Sequence, residues 1–402
     1  MNHRKLLFIG EAMAPAHDRM LKVLRVFGLS VLLTGPVQAQ RTDTLRFTSA
    51  AFGTERTVVV HLPEFHRYAA PEVRFPVIIL LDGQHEWFAE PLCNDIRYLQ
   101  YTHAVPQAIT VTVPLADRVR ECALDALDGP PMPLLRLLAE ELPPLLEPYR
   151  PGPLQLLVGH SFSASFALYA YLQRPDLFPG VIALSPLDEV DRTIPAVDIA
   201  LRTRPQDRVL IAVGGMEDLQ DGGHARVVVP LMEALKPPAT GDPLWFRTYP
   251  PAGHTDLPII AAPEMLATYF SAFALRDTLV PVDRDYLLLA PPPAPGELLR
   301  SVEAGTSFRG DHISWEVAEI NGMASRLLAS DHTEHAIAVY RKGVELYPLF
   351  YEFHWSLGEL LLDLDRQEAF AFLRRAQELL RTEEKDMQGR AEVQAEIEAL
   401  MR

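Results

Sequence analysis

A serine between a strand-like run and a helix-like run is the first candidate for chemistry. The segment Gly159-His160-Ser161-Phe162-Ser163 follows the apolar stretch Leu154–Val158 and opens a stretch with helical spacing. A nucleophile elbow needs this context, because its tight turn presents the serine hydroxyl at the carboxyl edge of a sheet. Gly159 leaves room for the turn, whereas Ser163 stands where a second glycine is usual. We predict that Ser161 is a nucleophile.

The base that activates this serine is expected later in the chain. A serine hydroxyl is a weak nucleophile at neutral pH and needs a neighbouring base. In folds with such an elbow the order along the chain is serine, acid, histidine. His254 follows the strand-like run Leu244–Tyr249 directly, whereas His224 follows no strand and His312 comes after a proline cluster. We predict His254 as the base.

Two adjacent carboxylates are candidates for the acid that orients the base. Glu217 and Asp218 follow the strand-like run Val209–Val213 and the pair Gly214-Gly215. A carboxylate at this place would hold the imidazole tautomer and stabilise its charged form. We favour Glu217 and keep Asp218 as the alternative. The competing interpretation is that both are solvated loop residues that cap the next helix.

Acyl transfer also needs N–H donors aimed at the developing oxyanion. The first expected donor is the main-chain N–H of Phe162, directly after the nucleophile. The second is the N–H of Gln84, in the loop after the strand-like run Val77–Leu81. His85 and Trp87 follow closely, either to line the substrate pocket or to pack at the base of the loop.

The elements that must position these residues alternate between strand and helix. From Thr44 to Phe273, short apolar runs alternate with amphipathic stretches, which is typical of a parallel α/β fold. Phe75–Asp82 is apolar almost throughout and suits the centre of a sheet covered on both faces. The prediction is a doubly wound, mostly parallel sheet of seven or eight strands.

The carboxyl-terminal part has a different pattern. The chain contains 35 prolines, five of them between Leu279 and Pro295, so 279–314 is predicted to be a proline-rich linker. Residues 315–402 are helical in pattern, and Ala336, Tyr340 and Gly343 recur 33 positions later as Ala369, Leu373 and Ala376.

Such a repeat resembles two degenerate tetratricopeptide units, and a plain pair of helical hairpins is the alternative. Because about three units are usually needed for stability, we expect this small all-α domain to lean on the preceding domain or on a second chain. It is also the candidate surface for a protein partner or for self-association.

Composition limits the classes of function. The 402 residues carry 53 acids and 37 bases, a formal charge of −16 that repels nucleic acid. Two cysteines exclude a disulfide scaffold and a four-cysteine zinc site. Cys93 and Cys122 are expected to be buried free thiols, with a disulfide between them as the alternative.

The amino terminus resembles a secretory signal. A short basic start at Met20 precedes an apolar core of about a dozen residues and the small residues before Gln40. We predict a signal peptide at 20–39, preceded by an extension at 1–19, and a first domain at 40–278. The alternative is an amphipathic or buried helix. No later segment is long and apolar enough to span a bilayer, so a periplasmic or secreted, soluble mature chain is expected.

Taken together, several short segments resemble the "Putative esterase" family of α/β-hydrolases, the group of esterase D, siderophore esterases and feruloyl or acetyl-xylan esterases. They occur in the family's order between about residues 44 and 275: Leu80–Gln84, Val113–Glu121, Glu140–Pro143, Tyr149-Arg150, Gly159–Phe162, Arg174–Phe178 and Leu184–Pro186. The resemblance implies an α/β-hydrolase fold and a serine esterase that acts on a small or siderophore-like acylated ester through an acyl-enzyme. It implies no cofactor and no metal.

Two departures from the family pattern affect these expectations. Ser163 replaces the elbow glycine, and Leu187-Asp188 stands where an aromatic pair is frequent. Arg118 and Arg120 could hold an anionic substrate, although salt bridges to Asp117 and Glu121 are favoured.

Two rival functions stay open. One is an acyltransferase with the same triad. The other is a degenerate hydrolase domain in a protein-binding scaffold, in which Ser161 and His254 would be too far apart to couple.

Overall fold

The computed structural model describes residues 41–124, 129–217, 224–235, 243–309, 311–313, 315–385 and 387–402. The predicted signal peptide at 20–39 and the alternative acid Asp218 lie outside the described residues. The same is true of the side chain of His224.

An eight-stranded sheet forms the centre of the molecule. Its strands are β1 Thr42–Ser49, β2 Thr54–His61, β3 Phe75–Leu81, β4 Ile109–Val113, β5 Pro151–His160, β6 Gly180–Leu184, β7 Arg208–Gly214 and β8 Leu244–Tyr249. They lie in the order β1-β2-β4-β3-β5-β6-β7-β8. The pairs β1–β2 and β2–β4 are antiparallel, whereas the six strands β3 to β8 are mutually parallel. This is the predicted doubly wound, mostly parallel sheet.

Helices follow or connect the strands along the whole chain. Their bounds are α1 Glu86–Tyr101, α2 Arg118–Cys122, α3 Pro133–Arg136, α4 Leu142–Leu146, α5 Phe162–Gln173, α6 Val190–Leu201, α7 His224–Ala234, α8 Leu257–Phe270, α9 Leu275–Leu279, α10 Pro295–Gly305, α11 Val317–Ala329, α12 Thr333–Leu346, α13 Tyr351–Leu361, α14 Arg366–Thr382 and α15 Arg390–Leu400. Over the described ranges, none of them combines the length and the apolarity that crossing a bilayer requires.

Burial on both faces explains the composition of the central strands. Every residue of β3 is buried, which its apolar sequence FPVIILL permits. The core on one face of the sheet includes side chains of α5 and α6. The core on the other face includes side chains of α1 and α8. The sheet is therefore covered on both sides, and only its edges and strand ends can carry a site.

The strand order contains a switch point between β3 and β5. Along the chain, β4 is added on one side of β3, and β5 to β8 are added on the other. In parallel α/β sheets, ligands bind outside the carboxyl ends of the strands at such a point. The loops after β3, β5, β6, β7 and β8 all open on this edge, so they are where a site is expected.

The edge strand β1 was not among the predicted strands. Its outward residues are polar and exposed, and only Ser49 at its end is fully buried. An edge strand with so little buried surface gives only a weak apolar signal in the sequence.

The segment between β4 and β5 contains two short α-helices, α3 and α4, in place of one continuous helix. A wider turn over Leu137–Glu141 separates α3 from α4. Pro143 has no N–H and its ring crowds the preceding turn, so a continuous helix would lose a hydrogen bond here.

Both cysteines are free thiols. Cys122 is buried, and Cys93 is only partly buried. Burial raises the pKa of both thiols, that of Cys93 to about 12. The disulfide kept as the alternative is thus not formed.

The interval 279–314 has more structure than a linker implies. It contains α10 and a two-stranded antiparallel sheet formed by β9 Ser307–Phe308 and β10 Asp311–His312. Arg309, at the turn between these strands, donates to the carbonyl oxygens of Pro175 and Asp176 at 2.6 and 2.8 Å. The domain boundaries themselves stay a prediction.

The helices after Trp315 pack against the first part of the chain. Tyr68 and Leu275 belong to the same buried cluster as residues of α11 to α14. The N–H of Ala70 donates to the carbonyl of Leu346 at 2.8 Å, and the hydroxyl of Tyr68 bonds to Glu384. The tail therefore leans on the sheet-containing part, whereas its relation to tetratricopeptide repeats stays a prediction.

Candidate active site

Ser161 lies in a tight turn between β5 and α5. Its φ is +64°, a conformation that costs energy for a residue with a side chain. A Cβ on Gly159 would lie 2.3 Å from the carbonyl oxygen of Ser163, so only glycine fits there. The N–H of Ser161 donates to the carbonyl of Leu184 at 2.8 Å, which anchors the turn to the neighbouring strand β6.

His254 lies next to this serine. Its Nε2 is 3.0 Å from Oγ of Ser161, and its Nδ1 is 3.3 Å from Oε2 of Glu217. A carboxylate can only accept, so Nδ1 carries the proton and Nε2 is left as the acceptor that faces the hydroxyl. This is the geometry in which an imidazole can take a proton from a serine.

Glu217 is fully buried and held from three sides. Its carboxylate accepts from the main-chain N–H of Gly214 at 2.6 Å, from the hydroxyl of Ser185, and from His254. Burial by itself would raise the pKa of Glu217, but these hydrogen bonds outweigh it and hold the pKa below its usual value. The side chain therefore stays ionised beside the imidazole.

The loops that carry Glu217 and His254 are joined through their backbones. The N–H of Gly215 donates to the carbonyl of Tyr249, and the N–H of Met216 to that of Ala252, both at 2.9 Å. A Cβ on Gly214 would lie 2.4 Å from the Ala252 carbonyl oxygen, so this close approach requires glycine. The spacing of the two side chains is thus fixed by main-chain contacts.

The two predicted oxyanion donors have no acceptor among the described residues. The N–H of Phe162 is at the first turn of α5, and the N–H of Gln84 is in the loop after β3. Both loops lie at the carboxyl ends of the hydrogen-bonded neighbours β5 and β3. N–H groups without an acceptor at two neighbouring strand ends are available for a negatively charged oxygen.

An aromatic cluster borders the site. The ring of His160 lies 4.6 Å from that of His254, and the ring of Trp87 meets His160 edge-on at 6.0 Å. Trp87 is 44% exposed and lies 5.1 Å from the ring of His85. Trp87, predicted from the sequence as a pocket residue, therefore lies beside His160 and faces solvent, with the half-buried His85 next to it.

The two arginines predicted as substrate ligands have different environments. Arg118 forms an ion pair with the buried Asp82 at 2.8 Å and donates to the His160 carbonyl at 2.6 Å. Arg120 is exposed on α2, and its side chain forms no ion pair within the described part of the chain. Glu121 forms its ion pair with the buried Arg56 and not with Arg118 or Arg120. The guanidinium of Arg118 is therefore already engaged by the protein.

Ser185 and His160 also border the site, although neither has a role predicted from the sequence. Ser185 follows β6 with a φ of +49° and donates to Glu217. His160 is buried and contacts the carbonyl of His254. Both lie at strand ends on the site edge, and that position was the available signal. The other histidine considered as a base, His312, lies exposed on β10.

Comparison with known proteins defines the class. The family model described as "Putative esterase" matches residues 49–232, which contain Ser161 and the loop after β3. Together with the sheet order, this match makes the protein an esterase with an α/β-hydrolase fold. The matched residues contain all of the short segments whose sequence resembles this family. No match was found among curated proteins.

Solved structures share this fold. An IroE-like serine hydrolase from Shewanella oneidensis is similar with a TM-score of 0.57 and 18% identity, over 76% of this chain and 99% of that one. An uncharacterised protein from Capnocytophaga ochracea is similar with a TM-score of 0.56 and 13% identity, over 89% of this chain and all of that one. At these identities the likeness concerns the fold alone.

Proposed function

We propose that the chain is a serine carboxylic-ester hydrolase in which Ser161, His254 and Glu217 form the catalytic triad. Oγ of Ser161 attacks the ester carbonyl carbon while its proton moves to Nε2 of His254. The carbonyl oxygen becomes an oxyanion, which accepts hydrogen bonds from the N–H groups of Phe162 and Gln84. Glu217 holds Nδ1–H and stabilises the imidazolium that forms.

Collapse of this intermediate gives an acyl-enzyme. The bond from the carbonyl carbon to the alcohol oxygen breaks, and the proton on Nε2 goes to the departing alcohol. Water then attacks the acyl carbon and gives a proton to His254. The bond to Ser161 breaks, its oxygen regains the proton, and a carboxylic acid leaves.

The observation that carries this proposal is the chain of contacts from Ser161 through His254 to Glu217. The distances of 3.0 Å from Nε2 to Oγ and 3.3 Å from Nδ1 to Oε2 lie near the hydrogen-bond range. This is the range expected of a catalytic base in an enzyme without bound substrate. Such proximity disfavours the scaffold alternative, which requires a serine and a histidine that cannot couple. Because Trp87 is exposed, this side of the site is open to solvent, whereas transfer to another alcohol would need a covered acceptor site. This openness favours water as the acyl acceptor.

The substrate we propose is a small or siderophore-like acylated ester. Trp87 and His85 provide planar surfaces beside His160, the residue before Ser161, and an aromatic group can stack on them. Because Arg118 is held by Asp82, an anionic group on the substrate is not required.

A panel of p-nitrophenyl esters with acyl chains of increasing length, together with a catecholate ester, tests the proposal on the chain from Gln40. Ser161→Ala is the reference variant. We expect turnover to vanish in this variant and a fluorophosphonate to add to the wild-type chain at Ser161 only. Turnover that survives Ser161→Ala would show that another residue is the nucleophile.

We also propose that the chain is exported, with cleavage after Ala39. The support is the basic, apolar and small-residue order of 20–39. Amino-terminal sequencing of protein recovered from the cell exterior or periplasm should give Gln40 as the first residue. A chain that keeps Met1 or Met20 would contradict export by this signal.

A further inference from the structure

The serine that departs from the usual elbow pattern is bonded on both sides. The N–H of His160 donates to Oγ of Ser163 at 2.8 Å, and this hydroxyl lies 2.5 Å from Oδ2 of Asp82. Ser163 and Asp82 are 0% and 1% exposed, so no solvent competes for these bonds. A glycine at position 163 could make neither contact.

Asp82 connects this serine to the loop that carries the second predicted oxyanion donor. Its other oxygen, Oδ1, accepts from Nε2 of Gln84 at 3.1 Å. The same Gln84 side chain accepts from the N–H of Leu115 at 2.8 Å through Oε1. The residue whose main-chain N–H faces the oxyanion in our proposal is therefore fixed by its own side chain against Asp82.

The two turns that meet through this bridge are both strained. Asp82 has a φ of +61° and Ser161 a φ of +64°. They lie at the ends of the adjacent strands β3 and β5. Strained turns persist only where their surroundings determine them, and the bridge of Ser163 and Asp82 links one turn to the other.

A buried carboxylate near an oxyanion site would normally oppose the reaction. Arg118 forms an ion pair with Asp82 at 2.8 Å and also donates to the carbonyl of His160 at 2.6 Å. The guanidinium therefore compensates the charge of Asp82, and the carboxylate can serve as a hydrogen-bond acceptor without a net negative charge in the site.

We propose that Ser163 is a positioning residue: through Asp82 it holds the nucleophile turn and the Gln84 loop in the relative position that the oxyanion requires. This inference rests on the proposed esterase function and deepens it. The glycine-to-serine departure then has a function in this chain. The chain's own elbow depends on a hydroxyl that other elbows do without.

The inference makes a prediction that runs against the family pattern. Restoring the usual residue with Ser163→Gly should lower kcat, although it relieves crowding at the elbow. We expect kcat to fall about 10- to 100-fold, less than the loss of a donor itself, and KM to change less than about threefold. Ser163→Ala should give the same result without the helix cost of glycine. The affinity for a trifluoromethyl ketone, whose hydrate oxyanion occupies the donor site, should fall in parallel with kcat.

A matched control is available on the same helix. Ser165 is as buried as Ser163, and its hydroxyl accepts from the N–H groups of Leu187 and Asp188 instead. Ser165→Ala removes a buried hydroxyl and should lower the melting temperature comparably while kcat stays within about threefold. Equal losses of kcat in Ser163→Ala and Ser165→Ala would show that Ser163 has only a structural role.

A second variant separates the bridge from a general loss of stability. Asp82→Asn combined with Ser163→Ala should reduce kcat little further than Asp82→Asn alone, because Ser163 acts through Asp82. Fully multiplicative effects would contradict the inference.

The closing comparison distinguishes the two proposals. A wild-type chain that neither hydrolyses esters nor reacts with a fluorophosphonate contradicts the proposed function, and the inference that rests on it. An active, labelled wild type whose Ser163→Ala variant keeps full kcat contradicts the inference alone.

Discussion

Nε2 of His160 lies 2.8 Å from the main-chain carbonyl oxygen of His254. Because a carbonyl can only accept, Nε2 of His160 must carry the proton, and its buried Nδ1 is left with no partner in the described structure. The residue directly before the proposed nucleophile therefore holds the backbone of the proposed base. This contact couples the loops after β5 and β8 independently of the bond between Ser161 and His254.

The first prediction concerns stability in acid. Burial, and then the neighbouring His254, lower the pKa of His160 to about 3 from an ordinary value of 6.5. Below pH 6.5 the unfolded chain binds a proton that the folded chain does not, so folding stability is lost as the pH falls towards 3. His160→Gln keeps an amide donor and cannot titrate. The slope of unfolding free energy against pH should become shallower by up to about 1.4 kcal/mol per pH unit between pH 4 and 6.

Urea unfolding at a series of pH values measures this slope. His103, which is also shifted down by burial, is a suitable control because it lies outside the site. His103→Gln should make the slope of unfolding free energy against pH shallower without changing kcat. If His160→Gln leaves the slope unchanged, His160 is not a buried neutral histidine.

The second prediction distinguishes the two candidate acids. Glu217→Gln keeps the shape of the side chain but presents an uncharged amide to Nδ1 of His254, which disturbs the tautomer and no longer stabilises the imidazolium. We expect kcat to fall by roughly two to four orders of magnitude with a small change in KM. The kcat of Asp218→Asn should stay within a few-fold of the wild-type value in the same ester-hydrolysis assay. Equal and mild losses in the two variants would mean that neither residue orients the base.

The third prediction concerns a buried ion pair that supports the loop before α2. Nη1 of Arg56 lies 3.0 Å from Oε1 of Glu121, and both side chains are 7% exposed. The same oxygen accepts from the N–H groups of Ala116 and Asp117 at 3.1 Å. Glu121→Ala leaves a buried guanidinium and two N–H groups without partners, so we expect about 3–5 kcal/mol of destabilisation.

An exposed pair serves as the comparison for this loss. Arg341 and Glu368 form two hydrogen bonds of 2.6 and 2.7 Å between α12 and α14 at the surface. Glu368→Ala should cost no more than about 1 kcal/mol, because solvent replaces the contact. Chemical denaturation of both variants gives the difference, and similar costs would show that the Arg56 pair is not buried in solution.

The fourth prediction concerns a loss of folding stability as the pH rises above 4.5, caused by a buried glutamate in the helical tail. Burial, and the nearby carboxylates of Glu384 and Glu64, raise the pKa of Glu352 to about 8 from 4.5, although the Tyr351 hydroxyl opposes the shift. The folded chain holds a proton here that the unfolded chain releases, so stability is lost as the pH rises from 4.5 to 8. Glu352→Gln should be more stable than the wild type at pH 8 by on the order of 2–4 kcal/mol.

The advantage of Glu352→Gln should disappear below pH 4.5, where the carboxyl of the wild type is protonated in both the folded and the unfolded state. Glu345→Gln, which removes an exposed partner of Lys342, is the control and should show no such pH dependence. Thermal melts across this range decide the matter. An advantage that is constant with pH would indicate better packing of the amide instead.

The alternation of strands and helices and the positions of the candidate site residues along the chain could be anticipated because both are local patterns. An apolar run such as β3 must be covered on both faces, and parallel strands bring their following loops to one edge. Ser161, Glu217 and His254 each directly follow such a run, so their meeting is a consequence of strand order. Their catalytic roles stay a prediction until the variants are measured.

Other features could not be predicted because they depend on contacts between distant segments. Nothing near Ser163 in the sequence indicates that its hydroxyl meets Asp82, 81 positions earlier. Arg118 likewise could not be separated into substrate ligand or ion-pair partner until the burial of Asp82 was known.

The sequence by itself determined the α/β class, the elbow and the helical tail, because periodicity and turn chemistry are properties of neighbouring residues. The tertiary structure decided which polar groups are buried together, and therefore which charges are compensated and which titrate. Ser163 illustrates the difference: its identity is a local departure from a motif, whereas its partner exists only because β3 and β5 are adjacent in the sheet.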